Sequence, residues 1–472
     1  MDSPANESTD HGDQNHRHGQ SPDTTTTDLP PPPIRDDSDQ SDPPPICGPL
    51  EKDEPPPQLD HTTPATTMTI MTHSRPPGAP KDRTTFLVSH FDGANENSLR
   101  WIRLPTGHQL VFLVRRPLIL VAACQRTDPC ESQLRSQLAA LHSYILSLLT
   151  QAQLSGLFAR RPNLDLRPIL GPAHTQIGAV CDRFDSDLRY LFGCVESVRV
   201  PAAVRRKFGD ALKAGATTSS SSTASPATGG LLYGMIIYHG HLITLIRPKS
   251  HSLHPSDLLN VFTMVASHRE FRVMPGTEHW VPMCLPKFND QGFLYAHVTY
   301  VTSELGVVLM TGEVGAFAEM HEAKERVHEY MLKNGLILES KHLESPLDAG
   351  SPLIQEPHLK HFVYKSKAHV QFLQIGSTGG DYHTAPSADL IQTKYARLSA
   401  ALHDRETPLK LLWCEGDQDG HSYMGWNSGG CEVYAIWDAA VPRATATRNA
   451  NAIVKWVKAN EEDLFILESP TL

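Results

Sequence analysis

Two short apolar runs near the end of the first quarter of the chain predict a pair of strands. Residues 111–114 and 118–123 are rich in β-branched side chains, and each run has the length of a strand. Residues 115–117 leave room for a tight antiparallel turn, where proline fits because it has no N–H to give to a ladder. Residues 99–104 alternate apolar and basic side chains, which predicts a further, half-exposed strand.

After these strands the apolar period lengthens from two residues to between three and four. Leu134, Leu138, Leu141 and Ile145 recur at steps of four and three, so we expect them on one face of a helix over residues 131–149. Strands followed by a one-sided helix form half of a two-layer α/β unit.

A similar order of elements occurs twice more, as two strands, a helix, three strands and a final helix. In the second unit the strands are predicted at residues 231–238, 241–246, 280–285, 293–302 and 305–311. In the third unit they are predicted at residues 360–364, 369–374, 409–414, 421–426 and 431–437. The chain is therefore predicted to be an α/β protein that repeats one two-layer unit three times.

Composition separates an N-terminal tail from the rest of the chain. Residues 1–80 hold 14 acidic and 4 basic side chains and 17 of the 37 prolines, so this segment accounts for the whole formal charge of −10. Such a composition buries too little apolar surface to offset the entropy of ordering, which predicts disorder. The remainder is neutral, which argues against nucleic acid as a partner.

The domain boundaries follow from these shifts in pattern and composition. We expect a disordered tail, a first domain with a helical extension, a flexible Ser/Thr-rich linker, a second domain, a connector and a third domain. The corresponding ranges are 1–80, 81–214, 215–229, 230–340, 341–356 and 357–472.

Motifs for small-molecule chemistry are absent from the sequence. His321 and His328 are seven residues apart, about 10 Å along a helix, which is too far for one metal ion, so surface histidines are expected and no metal or cofactor. The eight cysteines form no CxxC pair, and the N-terminus does not look like a secretory signal, which indicates reduced cytosolic thiols. Arg205, Arg206 and Lys207 predict either a solvated helix face or a contact with anionic lipid.

Several segments resemble the Mon family of vacuolar fusion proteins, in the order found in that family. They include LVFLVRRPLILVAACQR, LLYGMIIYHGHLITLIRPKSHSLHPSDLLNVF, HWVPMCLPKFNDQGFLYAHVTYV, HFVYKSKAHVQF and CEVYAIWD. The resemblance covers most of residues 95–472. It implies three tandem longin domains, each an antiparallel sheet with flanking helices.

The resemblance also implies a function and partners. With a Ccz-type longin protein, such a chain forms a heterodimer that acts as guanine nucleotide exchange factor for a Rab-seven-type GTPase. It implies no covalent chemistry, and a cytoplasmic protein peripheral on late endosomal or multivesicular body, prevacuolar and vacuole membranes, in contact with anionic lipid. The rival interpretation is a non-catalytic trafficking adaptor or tether.

The family's partner-facing surface corresponds to residues 81–91 and the strand at 99–104. The interface candidates are therefore Phe86, Phe91, Leu99, Trp101 and Arg103. Trp101 is the best single candidate, although it could equally pack within the sheet.

This sequence departs from the family pattern at residues 62–80. The family's first domain begins with a hairpin, whereas this window contains Pro64, Pro76, Pro77 and Pro80, which disfavour two paired strands. We therefore expect the first domain to lack its first hairpin and to form a sheet of three strands. Either the gene prediction omits an exon or the domain is degenerate.

Overall fold

The computed structural model contains three sheets joined by helices. It describes residues 66–71, 101–103, 105, 109–124, 131–161, 164–184, 186–196, 198–217, 230–343, 358–376, 385–404, 406–416, 420–438 and 441–472. The sheets contain four, five and six strands in chain order. The predicted α/β architecture of three repeated units is confirmed, but the expected two layers are not, because helices cover both faces of the second sheet.

The first sheet has the strand order β1-β4-β3-β2 and is antiparallel throughout. Its strands are β1 (Thr66–Met71), β2 (Trp101–Arg103), β3 (Gln109–Arg115) and β4 (Leu118–Cys124), and the helices α1 (Glu131–Leu148) and α2 (Gln151–Arg160) follow. The apolar face of α1 packs on β3 and β4, with Leu134, Leu138, Leu141 and Ile145 fully buried as predicted.

The expectation that residues 62–80 contribute no strand is wrong. Strand β1 pairs antiparallel with β4, in a register that sets Thr69 opposite Val121. Pro64 and Pro76 flank this strand rather than interrupt it, and the run TTMTIM between them contains β-branched residues that favour extended backbone. The first sheet therefore has four strands, not three. Residues 1–65 and 72–100 lie outside the described residues.

A helical extension follows the first domain, as expected from the sequence. It comprises α3 (Arg167–Leu170), a 3₁₀ turn (Gly171–Ala173), α4 (His174–Arg183), α5 (Leu188–Phe192), β5 (Val195–Glu196) and α6 (Ala202–Ala216). The Asp187 side chain accepts a hydrogen bond from the Arg189 N–H at the start of α5, and Gly193 ends the helix at φ 59°, where a side chain would be strained.

The second sheet has the order β7-β6-β10-β9-β8 and is covered on both faces. Its elements are β6 (Tyr233–Tyr238), β7 (His241–Ile246), α7 (Pro255–Ser267), α8 (Glu270–Val273), β8 (Glu278–Leu285), β9 (Asn289–Tyr300), β10 (Leu305–Thr311), α9 (Phe317–Lys333) and α10 (Leu336–Ser340). Helix α7 covers one face, whereas α6 and α9 cover the other.

Helix α6 packs on the second sheet, although the predicted boundaries placed it with the first domain. It also extends into the predicted linker. Gly215 is buried, and a Cβ there would lie 2.5 Å from Val327 of α9, so the two helices need a residue without a side chain at this point. Residues 218–229 of the linker and 344–357 of the connector lie outside the described residues.

The third sheet has the order β13-β14-β15-β11-β12-β5. Its own elements are β11 (Leu359–Ser366), β12 (Gln371–Gly376), α11 (Ala385–Leu402), β13 (Leu411–Cys414), β14 (His421–Asn427), β15 (Cys431–Asp438), α12 (Arg443–Ala459) and α13 (Glu461–Leu464). Strand β5, from the helical extension, pairs parallel with β12 as a sixth strand. The extension thus ties the third sheet to the rest of the chain.

Candidate functional site

One edge of the first sheet, as far as its described strands extend, exposes an aromatic side chain. Among these strands β2 lies at the edge and pairs with β3, with Trp101 opposite Val111 and Ile102 opposite Leu110. Trp101 is 44% exposed and Ile102 is 38% exposed, and the guanidinium carbon of Arg103 lies 5.7 Å from the centre of the Trp101 ring. A cation over an indole face stabilises both side chains in a defined orientation.

The neighbouring strands explain why this edge stays exposed. Along β3, buried and half-buried residues alternate, and the buried set that includes Val111 and Leu113 faces α1. Helix α1 lies over β3 and β4, where Arg135 donates a hydrogen bond to the Phe112 carbonyl oxygen at 2.9 Å. All three residues of β2 are exposed. An exposed edge strand with an aromatic residue is suited to bind another protein.

The structure brings two of the predicted interface candidates, Trp101 and Arg103, together on strand β2. Phe86, Phe91 and Leu99 lie outside the described residues, so their place in the same surface stays a prediction. Trp101 is 44% exposed, and both interpretations of this residue, a partner contact or packing within the sheet, stay predictions.

Arg205 was expected in a surface basic cluster, and this expectation is wrong. Its side chain is buried, and its nitrogens donate to the carbonyl oxygens of Ile243 at 2.7 Å, Val198 at 2.9 Å and Asp463 at 2.8 Å. Burial lowers the pKa of the guanidinium to about 10. Its neighbour Arg206 is exposed.

Lys207, the third residue of that predicted cluster, is half-buried. Its ammonium lies 3.5 Å from a carboxylate oxygen of Glu339, so part of its charge is compensated. Of the three residues, Arg206 and Lys207 therefore remain available for a lipid contact.

A buried group of charged residues joins the extension to the second and third domains, and sequence reasoning missed it. Asp187 and Arg189 form an ion pair at 2.6 Å. Glu196 lies 3.6 Å from His241 Nδ1 and accepts a hydrogen bond from Gln374 at 3.3 Å. Burial raises the pKa of Glu196 to about 7 and lowers that of His241 to about 3. These residues come from four separate stretches of sequence, so no local spacing indicates the group.

A second charged group lies at the β8 edge of the second sheet, where Glu278 accepts hydrogen bonds from three side chains. His297 Nε2 and His321 Nδ1 lie 2.9 Å from its carboxylate oxygens, and Lys324 Nζ lies 2.7 Å from Oε1. Although burial raises the pKa of Glu278, bonds from Lys324, His321 and His297 lower it to about 2. The sequence analysis compared His321 with His328, whereas in the structure His321 contacts Glu278. The four-residue spacing of His321 and Glu325 was the one feature of the sequence that indicated neighbouring side chains here.

Within the described part of the chain, no helix has both the length and the apolar character needed to cross a lipid bilayer.

Comparison with known protein families identifies three domains in the order in which the sheets occur. Residues 85–175 match the first longin domain of FUZ, MON1 and HPS1, residues 229–329 match the second, and residues 358–461 match the third. The second and third matches span the five-stranded units of the fold. The expected three longin domains are thereby confirmed.

Individual relatives are similar over most of the chain. Vacuolar fusion protein MON1 of Yarrowia lipolytica is 32% identical over 391 residues, which cover 79% of this chain and 67% of that protein. The protein of the same name from Cryptococcus neoformans is 30% identical, covering 81% and 60%. MON1 homolog A of Homo sapiens is 29% identical, covering 81% and 56%. The chain thus spans between 56% and 67% of the length of these relatives. With three matching longin domains and this level of identity, the chain belongs to the MON1 family of vacuolar fusion proteins.

Proposed function

We propose that this chain is one subunit of a Mon–Ccz-type guanine nucleotide exchange factor that activates a Rab-seven-type GTPase. The process served would be fusion at late endosomes and the vacuole, with protein targeting to the vacuole and autophagy. The observation that carries the proposal is membership of the MON1 family together with the exposed aromatic edge of the first sheet.

The proposed partner is a Ccz-type longin protein that binds at strand β2. An edge strand has backbone N–H and C=O groups that a second strand can pair with, while Trp101 supplies a large, rigid apolar contact. The GTPase would dock on the joint surface of the two first longin domains. Displacement of its switch I segment would weaken its contacts with Mg²⁺ and nucleotide, so this chain would itself make and break no covalent bond.

The proposed site of action is the cytoplasmic surface of late endosomal or multivesicular body, prevacuolar and vacuole membranes. Arg206 and Lys207 are the residues of the predicted basic cluster that stay accessible for anionic lipid. Single lysine or arginine contacts with an anionic surface contribute about 1 kcal/mol each, so they would act with other contacts rather than alone.

The test is release of fluorescent GDP from the GTPase in the presence of the full chain and its purified partner. Trp101→Ala should slow GDP release. It should also weaken partner binding by ~30-fold or more, because a central tryptophan in an interface commonly contributes about 2 kcal/mol or more to the binding free energy. Leu338→Ala, at another exposed apolar residue (63% exposed, in α10), is the matched control and should leave both unchanged.

Two outcomes would contradict parts of the proposal. If Trp101→Ala retains partner binding and exchange, strand β2 is not the interface. If the unmodified complex binds the GTPase without accelerating GDP release, a non-catalytic adaptor or tether describes the chain better.

A further inference from the structure

Three potential metal ligands converge where helix α9 meets the β8 edge of the second sheet. The ligand atoms of Glu278, His321 and Glu325 all lie within 4.8 Å of one another. His297, on the adjacent strand β9, places Nε2 2.9 Å from the Glu278 carboxylate. Histidine nitrogens with carboxylate oxygens are a ligand set that suits zinc.

Helix α9 and strand β8 bring Glu278, His321 and Glu325 close together. His321 and Glu325 are four residues apart on α9, so they share a helix face, and that face is turned towards Glu278. On the sheet, Glu278 is paired opposite Thr299 of β9, and His297 lies two residues before that partner on the same face. The site therefore combines one helix with two paired strands.

The three ligands and the supporting His297 differ in exposure in a way that suits reversible binding. The His297 and Glu278 side chains are 0% and 16% exposed, so packing holds them in place. The His321 and Glu325 side chains are 47% and 52% exposed and can adjust from the solvent side. An ion would approach from solvent and meet Glu278, held in place by His297, before His321 and Glu325 close on it.

We propose that this cluster is a binding site for a divalent transition metal, with zinc as the best fit. Glu278, His321 and Glu325 are the ligands, one position is left for water, and His297 Nε2 orients the Glu278 carboxylate through its hydrogen bond. Zinc binds nitrogen and oxygen ligands at about 2.0–2.2 Å, which sets neighbouring ligand atoms about 3.3 Å apart. His321 Nδ1 and the Glu278 oxygens are 2.9 Å apart, and the three ligand atoms lie within 4.8 Å of one another, so rotation of the exposed His321 and Glu325 side chains would bring the set to this spacing.

Lys324 acts as the competing cation at the same place. Its ammonium lies 2.7 Å from Glu278 Oε1 and also contacts Glu325. Two carboxylates and one ammonium leave the cluster with a net charge of about −1 when both histidines are neutral, which attracts a dication. Metal binding requires the ammonium to leave the carboxylates, so Lys324 lowers the affinity. Once bound, the metal would tie α9 to the edge of the sheet.

The experiment is calorimetric titration of the purified full chain with zinc chloride after treatment with a chelator. We expect one high-affinity zinc per chain, and at least tenfold weaker binding in His321→Ala and in Glu325→Gln. Lys324→Met should bind at least tenfold more tightly than the unmodified chain. His328→Ala, on the same helix but outside the cluster, is the matched control and should bind as the unmodified chain does.

Cobalt substitution distinguishes this site from the cysteines, of which six are free in the described part of the chain. A four-coordinate site of nitrogen and oxygen ligands should give visible cobalt bands without thiolate charge transfer in the near ultraviolet. The proposal is overturned if the unmodified chain binds no stoichiometric zinc, if His321→Ala binds zinc equally well, or if thiolate bands appear. Circular dichroism of each variant shows whether its fold is retained.

Discussion

Replacing Arg205 by methionine tests whether one buried guanidinium holds segments of three domains together. Its three carbonyl acceptors belong to the segment before α6 (Val198), to β7 of the second domain (Ile243) and to α13 of the third (Asp463). The Asp463 carbonyl also accepts from the Val200 N–H at 3.0 Å, which places all these segments against the start of α6. Methionine keeps most of the side-chain volume but donates no hydrogen bond.

The size of the effect follows from two opposing contributions. A hydrogen bond from a charged donor is worth about 1.5–3 kcal/mol, so three such bonds would sum to roughly 5–9 kcal/mol if they were independent. Keeping a guanidinium away from water costs several kcal/mol, and this cost disappears with the charge. We therefore expect Arg205→Met to lower the free energy of unfolding by about 3 kcal/mol.

The assay is urea unfolding followed by tryptophan fluorescence, with Arg206→Met as the matched control. Arg206 is the next residue along the same helix and is exposed, so its substitution should change stability by no more than about 0.5 kcal/mol. Amide hydrogen exchange should also become faster around residues 198–200 and 463. A loss below about 1 kcal/mol in Arg205→Met, or a similar loss in both variants, would refute this role for the buried arginine.

Three further substitutions test the buried carboxyl group and the unexpected strand. Burial raises the pKa of Glu196 from 4.5 to about 7, so the folded chain holds this proton more tightly, and the group's contribution to stability is present below pH 4.5 and lost as the pH rises through 7. The shift corresponds to about 3 kcal/mol, and Glu196→Gln should remove it, making the variant more stable than the unmodified chain in urea unfolding at pH 8 but not at pH 5. Thr69→Pro and Ile70→Pro each delete an N–H of β1, and since alternate N–H groups of an edge strand face its neighbour, one of the two should lower the melting temperature of the first domain. If both variants melt like the unmodified chain, β1 does not contribute to the stability of the sheet.

Local periodicity determined most of the secondary structure. The spacing of Leu134, Leu138 and Leu141 predicted both the helix α1 and the face that it buries, because a residue every three or four positions can share only a helical face. In the same way, the short apolar runs predicted ten of the eleven strands of the second and third sheets, all except β5. The resemblance in these same runs also indicated the family.

The sequence alone did not show which segments, far apart in the chain, contact each other in the fold. Strand β1 pairs with residues about 50 positions later, β5 joins a sheet that begins more than 160 residues away, and Arg205 finds its third acceptor 258 positions on. His321 likewise meets Glu278, 43 residues earlier, rather than His328. Spacing along the chain describes only neighbours within a few residues, whereas these contacts depend on which folded surfaces meet. For that reason a run of three basic residues that looks solvent-exposed in the sequence contains an arginine that the tertiary structure buries.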